Sequence, residues 1–189
     1  KNIVASRYEI GSNITNTSYV SYHSALEFHG YANQTFFEMY ISSVNKFKPF
    51  SDSGITYNYC PSKIDRGIFT PITSPLIKVT DVERTVIDCI DDIEKCGGLE
   101  ELIECLSAIP YLDEAKLLQY LNEYNKICLY QKTGFVLEHF SEVLKLSKSF
   151  FDVCQSKINN RKRYLLNDEP NQIYFSKWKL IAPESILDL

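Results

Sequence analysis

The sequence predicts an α+β protein: a mainly antiparallel sheet with a packed C-terminal helical bundle. Three observations carry that reading. Segments rich in aromatic and β-branched residues recur between residues 35 and 79 with the period of two expected of strands. From Asp81 the period changes to about 3.6, beginning with the apolar stripe Val82, Val86, Cys89, Ile90 and Ile93. Gly and Pro number only 7 each in 189 residues, which leaves little chain for long loops.

Taken in order, residues 2–10 (NIVASRYEI) have the apolar spacing of one short helix, and residues 11–18 are polar and turn-like. Tyr19 to Ser21 reads as a brief strand entering a helix at 21–28, which Gly30 closes as a C-terminal cap. Strands are expected at 35–44 and 54–60, with FSDSG between them as a turn. Two more, at 67–72 and 76–79, are confined to edges or bends by Pro71 and Pro75. Thr80-Asp81-Val82-Glu83 is a capping box for the first long helix. Gly97 and Gly98 stop it and launch a second helix at 99–109, which Pro110 breaks. Helices at 112–124 (Asp113 as N-cap), 125–140 and 147–158 follow, and strands at 162–166 and 172–181 close the chain. Alternation along the last strand places Lys177 and Lys179 on one face and Trp178 on the other. The chain thus reads as one domain, 1–189: a connector (1–18), a β-rich part (19–80), a helical part (81–158) and a short β and basic end (159–189). Position 1 is Lys rather than Met, so the numbered chain is expected to begin inside a longer protein.

Hydrophobic residues make up 44% of the chain and charged ones 23%, enough for a core and too apolar for disorder. The net charge of −4 conceals an uneven spread. Residues 81–123 hold twelve acids and three bases, and residues 145–179 hold eight bases and three acids. Such asymmetry suits a polyanion-binding face at one end, or two solvated helix faces. No apolar run approaches the ~18 residues of a membrane span. The six cysteines show no C-x-x-C pair and lie mostly among apolar residues, which predicts reduced thiols in a soluble, cytoplasmic protein.

The residues offer little chemistry. His23 and His29 stand six apart, about 240° around a helix axis, whereas helical metal pairs need three or four. His29, at a helix end, suits the orphan carbonyls there. Ser24 and His23 point apart, and no G-x-S-x-G elbow appears. No phosphate-binding loop is present, because the CGG at 96–98 lacks the lysine and hydroxyl. Asp81, Glu83, Asp88, Asp91 and Asp92 could suggest a metal-dependent nuclease or nucleotide-processing enzyme. First-turn positions and an Arg84–Asp88 helix pair explain them more simply. No catalytic, metal or cofactor site is therefore assigned. The basic end is the remaining candidate: Lys157, Arg161, Lys162, Arg163, Lys177 and Lys179, with Tyr164 and Tyr174 nearby, for DNA or another polyanion.

Several stretches in order resemble the C-terminal domain of AbiEi-type antitoxins, transcriptional regulators of abortive infection systems. They are YVSYHSALEFHGYANQ (19–34), EMYIS (38–42), IKVTDVERTVIDCID (77–91), GGLEELIECL (97–106) and, more loosely, 117–140. The matching positions are Tyr19, Ser21, Ser24, Ala25, Leu26, His29 and Gly30, then Lys78, Asp81, Glu83, Arg84, Thr85 and Asp88, then Gly97 and Gly98. Their chemistry reads as architecture, with an Arg84–Asp88 or Arg84–His29 network possible. The resemblance implies a non-enzymatic type IV antitoxin that opposes a nucleotidyltransferase toxin without a stable complex and helps repress its own promoter. A winged helix-turn-helix domain, the family's main DNA reader, has no signature before residue 19. A further alternative is a protein-binding module whose acidic 81–123 segment meets a basic toxin surface.

Overall fold

A computed structural model describes residues 5–167 and 170–188. The chain divides into two units, Lys1–Ala108 and Ile109–Leu189. The first begins with α1 (Arg7–Ser12), fixed by a reciprocal cap: Glu9 N–H donates to the Ser6 hydroxyl, and Ser6 N–H donates to the Glu9 carboxylate. That cap sets the helix later than 2–10, and residues 2–4 of that range lie outside the described residues.

Six strands form one sheet: β1 (Tyr19–Val20), β2 (Glu38–Ser43), β3 (Phe50–Asp52), β4 (Ile55–Pro61), β5 (Ile68–Phe69) and β6 (Val79–Thr80). Their order is β3-β4-β2-β1-β6-β5. The pairs β1–β2, β3–β4 and β5–β6 are antiparallel, but β2–β4 and β1–β6 are parallel. The protein is α+β as expected, with a mixed sheet in place of a mainly antiparallel one. A period of two reveals which face a side chain takes and says nothing about strand direction. Most of FSDSG is strand: only Ser53 and Gly54 turn, both left-handed at φ 50° and 81°, the geometry of a two-residue hairpin. That hairpin takes the sheet edge and returns β4 alongside β2 in the same direction. Val20, Met39, Ile41, Tyr57 and Val79 of the sheet form the core with Ala25 and Ile77.

Helix α2 (Tyr22–Phe28) leaves β1 through a kink, with buried Tyr22 at φ 53°. The amines of Lys63 and Lys95 flank its ring at 5.4 and 5.5 Å. At the other end the Gly30 N–H reaches Glu27 O and the Tyr31 N–H reaches Leu26 O. Gly30 adopts φ 79°, the left-handed turn this closure demands. Two more helices complete the unit, α3 (Val82–Asp91) and α4 (Leu99–Ala108), joined by a 3-10 turn, Ile93–Cys96. The cap of α3 is Asp81, whose carboxylate accepts the Arg84 N–H at 2.9 Å. Thr80, expected to start a capping box, ends β6 and its hydroxyl pairs with that of Thr85 at 2.7 Å. Gly97 and Gly98, expected to end the first long helix, close the 3-10 turn instead, because α3 already ends at Asp91.

The second unit packs α5 (Glu114–Tyr124), α6 (Ile127–Glu138) and α7 (Lys148–Lys157) with a sheet of β7 (Arg163–Tyr164), β8 (Gln172–Phe175) and β9 (Leu180–Pro183), ordered β7-β9-β8. The expected helical part, 81–158, is therefore shared between units. Asp113 caps α5 and Ser147 caps α7. The single strand expected at 172–181 is an antiparallel hairpin, because residues 176–179 turn and Lys179 takes φ 52°. Trp178, 2% exposed, is seated from that turn against α6. Its Nε1–H donates to Glu138 at 2.8 Å, its carbonyl accepts from Gln131 at 3.2 Å, and its ring meets the bare Cα of Gly134. Among the described residues no helix is long and apolar enough to cross a membrane.

Candidate functional site

The positions singled out in the first unit fasten elements together. The Ser21 hydroxyl pairs with that of Ser42 at 2.8 Å, and the Ser24 hydroxyl accepts the Tyr40 N–H at 2.9 Å, tying α2 to β2. The His29 Nε2–H donates to Thr80 O at 2.8 Å, tying the end of α2 to β6. Burial pushes the His29 imidazole down, and the Thr80 carbonyl, Asp81 and Glu83 only partly offset it, so the neutral ring is the form near pH 7. Arg84, 1% exposed, donates from Nε to Asp88 at 3.0 Å and from Nη1 to Ile64 O and Arg66 O at 3.0 and 2.7 Å. Of the two networks suggested for Arg84, the one with Asp88 forms; the His29 ring serves Thr80 instead. Glu83 lies in the first turn of α3.

His23 reaches a partner 78 residues away that no local pattern announces. Its Nε2–H faces Glu101 Oε1 at 3.0 Å, and its ring packs 4.2 Å from Phe36. The same oxygen accepts the N–H groups of Asn33 and Gln34 at 2.9 and 3.0 Å and the Cys105 thiol at 3.5 Å. His23, Glu101 and Cys105 offer ligand atoms within 4.8 Å of one another, the spacing of a metal site. The donor set fits poorly. Glu101 Oε1 already serves N–H donors, and a hydrogen bond with Cys96 together with burial pushes the Cys105 thiol up, away from the thiolate a metal needs. The group reads as a carboxylate that fastens the 33–34 segment and α2 to α4. Gly97 helps: a side chain there would meet the Phe36 ring at 2.7 Å.

Burial pushes the Glu101 carboxyl up, but hydrogen bonds from Gln34, His23 and Asn33 outweigh it and hold the group below the ordinary carboxylate range. A depressed folded-state value stabilises above the unfolded value of about 4.3 and loses that contribution as pH falls toward the folded one. Urea midpoints measured at about pH 6 and pH 4 should therefore fall more steeply in the native chain than in Glu101→Gln. Equal falls would remove Glu101 from the acid response.

The acidic run of 81–92 does not converge. Asp81 caps α3, Asp88 faces Arg84, Asp91 binds Lys63 and Asp92 binds Lys95. Burial pushes the Cys60 and Cys154 thiols up to about 12, which suits packing and not nucleophilic attack.

In the second unit the six basic positions diverge. Lys157, Arg161 and Lys162 are exposed. Lys162 lies over the Tyr174 ring, 4.6 Å from its centroid. Arg163 pairs in register with fully buried Leu180, so it faces inward, and its Nε has no hydrogen-bond partner among the described residues. Lys177 is bound by Glu138. Lys179 is half-buried in the hairpin turn, so the shared face expected for Lys177 and Lys179 is replaced by that turn.

No family model matches the sequence, and no curated protein matches it. Among solved structures the chain is similar to the RV2827C protein from Mycobacterium tuberculosis, with a TM-score of 0.62 at 10% identity, over 87% of this chain and 62% of that one. This chain thus spans about three fifths of that neighbour's length, and the likeness is one of fold.

Proposed function

We propose that the chain is a non-enzymatic antitoxin domain of the AbiEi type, opposing a nucleotidyltransferase toxin without a lasting complex and assisting contact with promoter DNA. One observation carries this reading. Several of the positions behind the resemblance act as ties between segments: Ser21 and Ser24 to β2, His29 to β6, and Arg84, paired with Asp88 on its own helix, to the carbonyls of Ile64 and Arg66. A set of residues that fastens a fold in this way supports membership in a family recognised by the same residues. The dispersed carboxylates of 81–92 and the protonated thiols favour binding over catalysis. The exposed cations Lys157, Arg161 and Lys162 provide polyanion contact, with a winged helix-turn-helix as the main DNA reader.

Co-expression tests it. These 189 residues, produced with a nucleotidyltransferase toxin of an abortive infection system, should restore growth that the toxin alone arrests. Continued arrest, with folded chain present in the cells, would overturn the antitoxin reading.

A further inference from the structure

The outer face of the second unit's sheet carries an aromatic row. Register pairs Tyr164 of β7 with Ile181 of β9, and Ile181 with Tyr174 of β8, so all three side chains share one face. The alternate row, Arg163, Leu180 and Phe175, turns inward: Leu180 is fully buried, and Phe175 packs 4.7 Å from Phe135. On the outer face Tyr164 is 52% exposed and Tyr174 is 41% exposed. Two strand spacings separate the rings by about 10 Å. Lys162 shares the face, and its amine rests on the Tyr174 ring. Exposed Arg161 precedes it in the chain.

We propose that this row is a base-stacking platform for single-stranded nucleic acid, with Lys162 as its phosphate contact. Exposed rings on a sheet face suit unstacked bases, because every base offers a π-face whatever its sequence. A duplex keeps its bases stacked internally and cannot lay them on such a surface. Lys162 marks the electrostatics of the site: its ammonium covers the ring face in the free protein and is placed to exchange that contact for a phosphate when a base arrives. An acidic peptide would use the cations and gain little from two rings set apart by Ile181. This inference rests on the polyanion-contacting part of the proposed function and goes beyond promoter duplex, naming single strands as what the second unit's sheet takes.

The test uses the full chain and end-labelled oligo-dT, oligo-U and a duplex of about 15 nucleotides, read by fluorescence anisotropy. The single strands should bind more tightly than the duplex. Replacing both rings (Tyr164→Ala with Tyr174→Ala) should weaken single-strand binding roughly tenfold or more per ring, while the paired Phe substitutions keep it. Lys162→Gln should lower the slope of log affinity against log salt by about 0.7. Both rings are exposed, and the Phe pair controls for folding. Binding of either strand with this ring dependence supports the platform, and the preferred strand identifies the sugar. Duplex preference, no single-strand binding at about 50 mM salt, or equal affinity in the native and double-Ala chains would overturn it. Ring-dependent binding without growth rescue removes the antitoxin reading alone. Growth rescue without ring dependence removes the platform alone.

Discussion

Gly134→Ala lowers stability by roughly 2 to 3 kcal/mol through overpacking, although alanine is the better helix former by about 1 kcal/mol. The reversal comes from Trp178. A Cβ at position 134 would stand within 2.9 Å of three carbons in the six-membered part of that ring. The indole cannot simply withdraw, because its Nε1–H is held by Glu138 at 2.8 Å and the backbone carbonyl of Trp178 by Gln131 at 3.2 Å. Gln131, Gly134 and Glu138 recur along one side of α6 at helical spacing, so one helix face holds Trp178 by its backbone and by its ring N–H and leaves a gap between them for the ring. In a Trp178→Leu background the same substitution should cost about 1 kcal/mol or less, since the two changes remove one contact. Urea unfolding followed by circular dichroism measures all four corners of that cycle. The emission of Trp178, the sole tryptophan, follows the two corners that keep it. Additive costs would show that Gly134 serves something other than the indole.

Arg84→Met costs roughly 3 to 5 kcal/mol, because it leaves the Asp88 carboxylate buried without that guanidinium. Arg84 and Asp88 are each 1% exposed, so water cannot take the cation's place. The Ile64 and Arg66 carbonyls lose their shared donor as well. Arg84→Lys should recover little, since one ammonium cannot reproduce a fork that serves a carboxylate and two carbonyls. Adding Asp88→Leu to Arg84→Met should restore much of the loss, as apolar replacement of a whole buried pair often does. Differential scanning calorimetry of the two singles and the double decides it. A single Arg84→Met that unfolds with the native midpoint would refute the role given to this pair.

The helices were the most legible part of the sequence, because each carries its own period and punctuation. Helix α5 begins after Asp113, α7 begins after Ser147, and α4 ends just before Pro110. Strand pairing was less legible. Residues 38–43 and 55–61 announce strands, and their parallel alignment follows from a hairpin that occupies the edge. The basic end failed on parity: left-handed residues stand immediately before β8 (Asn171) and before β9 (Lys179), and alternation cannot be counted through the turn at 176–179. His29 was readable because helix ends need donors. His23 was not, since its partner Glu101 lies at the start of another helix with no periodic link to it. The glycine within α6 was a signal that could have been used, because an interior helical glycine costs stability unless something approaches its Cα.

The thiols give the chain a built-in clock. Cys60, Cys89, Cys96 and Cys105 are buried in the first unit and Cys154 in the second, while Cys128 of α6 is half-buried. A brief pulse of alkylating reagent adds mass only where a sulfur has come into contact with solvent. Cys128 therefore registers the earliest fraying, and every later tag dates the opening of an identified piece of core. Intact mass followed by peptide mapping turns six cysteines with no evident chemistry of their own into a time-stamped record of how this molecule comes apart.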